Sequence, residues 1–327
     1  MSDRRKLLRQ AFWAVLACSA LAGPASAQQY PDRPVRIVVP FAPGGADVLV
    51  RAVAAEIALK WKQPVVVENR PGAGSIIGAE YVAKLEPDGY TLLATVDATP
   101  VINRFLYKSQ PYDPDKAFAP ISLMVQTDGM LLANTGLPVN NLRELVALAK
   151  ARPRTLSFGS YARGSQADLV FALINRREGV DFLPVPYKDV AAAMGASVGG
   201  EVQLAMAGAS VSAALVHGGK LKVLAIAGEH RNAQFPQVPT AKEQGFDYVR
   251  SSVWYGVYAP AGTPASVVAR IHEDVTAILQ SPAFVERHVR PRGFTVLAGG
   301  PADLLKRIRH DVELTAEMVK AAGVVPK

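Results

Sequence analysis

Val35-Arg36-Ile37-Val38-Val39-Pro40-Phe41-Ala42-Pro43-Gly44-Gly45-Ala46-Asp47 passes from a β-branched run, through proline and glycine, into a stretch that sets Leu49, Val53 and Ile57 at helical spacing. The change of period, from consecutive apolar residues to one in four, predicts a strand, a loop and a helix over Asp47 to Lys60. The same unit recurs at once. Val65 to Glu68 leads through Arg70-Pro71-Gly72-Ala73-Gly74-Ser75 into a helix over Ile76 to Lys84, and Asp88-Gly89 turns the chain into a strand over Tyr90 to Thr95. Strands alternating with helices predict an α/β fold with a parallel, doubly wound sheet.

Further along, strands are expected at Ile121 to Gln126 and Met130 to Ala133, with a crossing between them. Asn141 and Glu144 form a capping-box pattern ahead of a helix over Leu142 to Ala151. A strand at Thr155 to Phe158, a loop at Gly159 to Ser165 and a helix over Gln166 to Asn175 follow, then strands near Phe182, Val202 and Lys222. This second set repeats the style of the first. The chain returns near Ser251 to Tyr258, and Thr263-Pro264 and Pro301 open the last two helices. The expected plan is two doubly wound lobes joined by a two-strand hinge: lobe 1 over residues 28–126, lobe 2 over 127–250, and a return to lobe 1 with C-terminal helices over 251–327.

Arg4, Arg5, Lys6 and Arg9, the short apolar core Ala11 to Leu21 and Ala25-Ser26-Ala27 read as a secretory signal peptide over 1–27, cleaved before Gln28. The apolar run is too short to span a bilayer. Asp3 ahead of Arg4-Arg5 favours general secretion over the twin-arginine route. Cys18, the one cysteine, falls inside the leader, so no disulfide or thiolate ligand is expected after cleavage. The net charge of +8 falls to +5 once four basic side chains and Asp3 leave, 32 basic against 27 acidic residues remaining. No basic run follows the leader, which argues against nucleic acid as a partner.

Three loops run from a strand through small residues into a helix. Gly44, Gly45, Gly72, Gly74 and Gly164 let backbone amides approach a ligand, and the unpaired N–H groups and dipole of a helix start favour an oxyanion such as a carboxylate. Each glycine alone is compatible with a tight turn. Gly72-Ala73-Gly74-Ser75-Ile76-Ile77-Gly78 has one residue too many for a dinucleotide fingerprint, and no Walker A sequence occurs. Gly208-Ala209-Ser210-Val211-Ser212 lacks the second glycine of a nucleophile elbow, and the five histidines have no metal-ligand spacing. No catalytic residue, metal site or cofactor is therefore expected.

Val38 to Gly45, Val67-Glu68-Asn69-Arg70-Pro71-Gly72-Ala73-Gly74, Pro87-Asp88-Gly89-Tyr90-Thr91-Leu92 and Val185-Pro186-Tyr187-Lys188, in that order, resemble the Bug or TctC family of tripartite tricarboxylate transporter receptors. Pro111-Tyr112-Asp113-Pro114 and Ala259-Pro260-Ala261-Gly262-Thr263-Pro264 fit the same pattern. The resemblance implies a periplasmic, monomeric solute receptor, periplasmic binding protein type II-like. It would trap a small carboxylate and hand it to the membrane permease subunits of a tripartite tricarboxylate transporter. By position it places ligand contacts at Phe41, Ala42, Gly45, Ala46 and Ser75, near the Thr95 to Thr99 loop, and in the second lobe at Ser160, Gly164, Ser165 and Gln166. Phe41 is equally well read as a core aromatic.

The chain departs from the family pattern at several points. One residue is missing between Gly45 and Asp47, and Asp47 reads as a helix N-cap. Asp168 stands where the family often has histidine, Arg163 where asparagine is common, and Ala207-Gly208 where Asp-Asn is usual. Loss of a carboxylate at 207 removes the partner for a ligand ammonium, unless Asp97 and Asp168 replace it; Arg163, turned inward, would suit a second carboxylate. A sensory module presenting the closed lobes to a signalling partner is an alternative reading. A secreted enzyme is another, with Asp97 and Asp168 as its only candidate pair.

Overall fold

The protein is described by a computed structural model covering residues 30–161 and 164–326. The leader at 1–27 and Arg163 lie outside the described residues.

Strand β1 (Val35–Val39) runs parallel to β2 (Val65–Asn69) and β3 (Thr91–Val96), with Val35 opposite Val65 and Ile37 opposite Leu92. Helix α1 (Gly45–Trp61) connects the first two, and α2 (Ile76–Ala83) the next. The second group has β5 (Ser157–Ser160), β6 (Leu183–Pro186) and β7 (Leu204–Gly208), parallel among themselves. Around them lie α3 (Leu142–Ala151), α4 (Gln166–Glu178), α5 (Val190–Gly199) and α6 (Ala209–His217).

The strands expected at Ile121 to Gln126 and Met130 to Ala133 are one: β4 runs unbroken over Phe118–Asn134. Its polar middle does not interrupt it, because Thr127 and Asp128 face Val253 and Ser252 of β9 (Ser252–Pro260), while Gly129 faces Gly208. The first part of β4 pairs with β9, and the second with β7 and β8 (Leu221–Ile226). The sheet order is β2-β1-β3-β9-β4-β7-β5-β6, and β10 (Thr295–Gly299), which no pattern in the sequence had marked, also pairs with β4. The expectation of a parallel sheet therefore holds within each group and not at the centre. β9 and β4 run antiparallel to their neighbours because they are the segments on which the chain returns and crosses.

Both faces of each group are covered. Leu49, Val53 and Ile57 of α1 pack with Ile271, Val275 and Leu279 of α7 (Ala265–Leu279) on one side of the first group. Ile76 and Val82 pack with Trp254, Leu304 and Ile308 on the other. In the second group Phe158 stacks on Phe171 with ring centres 4.4 Å apart, and Met130, Met194 and Phe235 fill the opposite face. The last helix, α8 (Pro301–Ala322), serves both halves. Leu304 and Ile308 lie in the first-half core, while Met318 packs against the second. No helix among the described residues is long and apolar enough to cross a membrane.

Candidate functional site: the joint between the two halves

The C-terminal ends of β1, β2 and β3 and that of β5 carry the loops singled out from sequence. After β1, Gly44 has φ +136 and caps a helix that begins at Gly45, so Gly45 and Ala46 supply the first amides of α1. Asp47 is consequently not an N-cap. It sits in the first turn, buried, accepting from Asn69 Nδ2 at 2.9 Å and Arg51 Nε at 2.8 Å, where a carboxylate also complements the helix dipole. Asn69 Nδ2 also donates to the Phe41 carbonyl at 3.0 Å. The Phe41 ring, half-buried, packs against the first-half core, which is the core reading of that residue, and Ala42 is exposed.

After β2 the backbone enters the left-handed region at four successive residues, with φ of 136, 46, 62 and 81° from Gly72 to Ser75. Ala73 and Ser75 carry side chains there, a strain of about 1–3 kcal/mol each that the surroundings must hold. They do so through a buried hydroxyl chain: Ser75 Oγ lies 2.7 Å from Thr99 Oγ1, which lies 2.6 Å from Thr95 Oγ1. Asn103 Nδ2 donates to the Gly74 carbonyl at 2.8 Å. Ser75 and the Thr95 to Thr99 loop are thus bonded to each other.

In the second half, Ser160 ends β5 and is buried. Ser165 caps α4, its Oγ accepting from the Asp168 amide at 3.4 Å, while Asp168 Oδ2 accepts from the Gly164 amide at 3.0 Å. Asp168 therefore serves the helix end, and the amide of Gly164 is engaged within it. Gly164, at φ +78, is also where the halves touch: a Cβ there would lie 2.2 Å from Leu106 Cδ2. Gln166 reaches across the joint, donating from Nε2 to the Ser252 carbonyl at 3.2 Å and hydrogen-bonding the Asp97 carboxylate.

Asp97 is 7 % exposed at the end of β3. Burial pushes its pKa up to about 7, Asp311 adds to the rise, and Arg307, the Ala98 amide and Gln166 oppose it. Asp97 and Asp168 both act on the Tyr161 hydroxyl, whose pKa is raised first by burial and then by those two carboxylates. Around Asp97 opens a cavity of about 240 Å³, lined by both halves and by α8. Arg307 crosses it to Ser252 Oγ at 2.6 Å, Gln126 Oε1 at 3.0 Å and Asp311 Oδ2 at 2.8 Å; Asp311 in turn accepts from Trp254 Nε1 at 2.6 Å. The Arg307 and Asp311 pairing at i, i+4 was visible in the sequence. Gln126, Asp128 and Ser252 were not, since they meet only because β4 and β9 run side by side, and Tyr161 reaches Asp97 from the loop after β5. Among the described residues no group of His, Cys, Asp and Glu side chains is arranged to hold a metal ion.

Residues 49–324 match the tripartite tricarboxylate transporter family receptor. The chain belongs to that receptor family. Protein BugT of Bordetella pertussis is 34 % identical over 310 residues, covering 94 % of this chain and 95 % of its relative. Among solved structures, R. palustris Rpa4515 with adipate is 31 % identical with a TM-score of 0.83, covering 91 % of this chain and 100 % of that one. MatC from Rhodopseudomonas palustris with bound malate is 30 % identical with a TM-score of 0.77, covering 89 % and 100 %. The receptor fold and membership of a periplasmic solute-binding family, implied by the loop sequences, are thus established for this chain.

Proposed function

We propose that this receptor captures a small dicarboxylate between its halves and presents the closed form to the permease of a tripartite tricarboxylate transporter. The observation that carries the reading is that related receptors of the same fold, over about nine-tenths of this chain, hold adipate and malate. The glycine-led helix start at Gly44-Gly45-Ala46 suits one anionic group of a ligand and the dipole at the start of α4 suits the other, with the Gly164 amide itself already held by Asp168. The lobes are residues 28–126 and 127–250, with 251–327 returning to the first. The contacts are Phe41, Ala42, Gly45, Ala46, Ser75 and Asp97 on one side, and Ser160, Gly164, Ser165, Gln166 and Asp168 on the other. The protein works as a monomer in the periplasm, exported with its leader removed before Gln28.

Closure follows from contacts that exist only when ligand touches both halves, since equal affinity for open and closed forms shifts nothing. The chemistry is binding without turnover. A melting-temperature screen over mono-, di- and tricarboxylates and their amides is the test, because a ligand bound only by the folded state raises the melting point. A dicarboxylate is expected to score, its diamide not, and mass spectrometry to recover the acid unchanged. A flat response to every acid, or an altered product, refutes the reading.

A further inference from the structure

The joint holds polar chemistry that capture by helix starts leaves unused. Asp97 belongs to the first half by its strand, yet its cover comes from elsewhere. Gln166 hydrogen-bonds it from α4, Tyr161 stands just ahead of that helix, Tyr255 and Tyr258 approach from β9, and Arg307 and Asp311 face it from α8. Swinging the second half away removes Gln166 and Tyr161 and admits water.

Among the described residues the cation that acts on Asp97 is Arg307, which lowers its pKa without overcoming burial; its donors are engaged with Ser252, Gln126 and Asp311, and its charge is matched by Asp311. Arg250 in the same cavity is paired with Glu229 at 2.5 Å. Asp128, also in the cavity, accepts from Gln126 Nε2 at 3.4 Å, and burial raises its pKa to about 6 against the charges of Arg307 and His230; it lies over Gly228, whose added Cβ would fall 2.4 Å from its Oδ2. That cover comes from the β8 side of β4 and does not depend on the halves meeting. His310 also lines the cavity but is exposed.

We propose that Asp97 is a proton-linked latch between the halves, neutral when they meet and ionised when they part, so that ligand capture takes up a proton. The latch rests on the reading that this receptor closes on a carboxylate. With the halves together the Asp97 pKa is about 7; hydrated, an aspartate titrates near about 4. The closed form therefore holds more protons between those limits, and closure is favoured as pH falls through that window. Affinity is expected to fall about tenfold between pH 6 and pH 8 and to flatten above.

The experiment is calorimetric titration of the mature chain with adipate and with malate at pH 7, in buffers of different ionisation enthalpy. Wild type is expected to take up about half a proton per ligand bound, as a group with a pKa near the working pH does. Asp97→Asn, a permanent mimic of the neutral acid, is expected to bind with no uptake and with affinity independent of pH. His310→Gln is expected to retain the uptake. Binding by wild type without proton exchange overturns the latch and leaves the function standing, and that measurement needs no variant to fold. Uptake that survives in Asp97→Asn, or vanishes in His310→Gln, also overturns it. Absence of binding by every acid overturns the function and the latch together.

Discussion

Replacing Gly164 by alanine separates two effects that act on different states of the receptor. An alanine held at φ +78 incurs the left-handed backbone cost of about 1–2 kcal/mol whether the halves are apart or together. That part appears as a lower melting temperature, about 2–4 °C per kcal/mol for a chain of several hundred residues. The new methyl would also stand 2.2 Å from Leu106 Cδ2, but only with the halves in contact. Leu106 must then leave its rotamer or the halves must separate, and overpacking of this kind costs about 1–3 kcal/mol. Charged to closure alone, it weakens dicarboxylate binding roughly 5- to 150-fold. Truncating the obstacle tests the assignment: Gly164→Ala with Leu106→Ala is expected to regain most of the affinity while keeping the lowered melting temperature, a coupling that a double-mutant cycle measures directly. Unchanged affinity in Gly164→Ala, or a loss that Leu106→Ala leaves intact, would refute contact across the joint as the reason for glycine here.

Asp274 joins α7 to α1, taking Trp61 Nε1 at 2.6 Å, Lys60 Nζ at 2.6 Å and Arg270 Nε at 2.9 Å while itself 3 % exposed. Because both cations are partly solvated, Asp274→Ala is expected to lose about 2–3 kcal/mol in urea unfolding. Burial acts to raise the Asp274 pKa, but the bonds from Lys60 and Trp61 and the charges of Arg270 and Lys60 outweigh it and hold it low. Its contribution is thus present above the ordinary aspartate range and lost as pH falls through the depressed value, so Asp274→Asn is expected to flatten that part of the acid unfolding curve. Gly78→Ala sets a methyl 2.7 Å from Pro40 Cβ and 2.8 Å from the Arg70 carbonyl. The cost of about 1–3 kcal/mol is expected to exceed the gain in helix propensity, and a higher melting temperature would contradict it. Arg307→Met removes the cation that opposes the rise at Asp97, and proton uptake on binding is expected to persist to higher pH than in wild type; an unchanged profile would show that Arg307 does not act on Asp97.

The site was readable from sequence in proportion to how local its causes are. Gly44 and the Gly72 to Ser75 loop announced themselves because a turn into a helix needs particular residues at particular positions, while the bond from Ser75 to Thr99 came from the packing of two loops. Asp47 was misassigned because capping depends on where the helix starts, and that start is set at Gly45 by the cap Gly44, three residues before the obvious polar candidate. The bond from the Gly164 amide to Asp168 has a local cause, since a carboxylate three residues after a serine cap reaches back to its own helix end.

Sequence alone determined the α/β units, the two covered groups of strands and the receptor family, because hydrophobic period, loop chemistry and their order along the chain are local properties that survive without coordinates. Tertiary structure decided that β4 runs through the crossing, that β9 lies antiparallel beside it, and that Asp97, Gln166, Ser252 and Arg307 converge there. Those residues lie up to 210 positions apart, as Asp97 and Arg307 do. Their burial, and with it the titration of Asp97, is created by the packing of segments whose separate sequences carry no trace of one another.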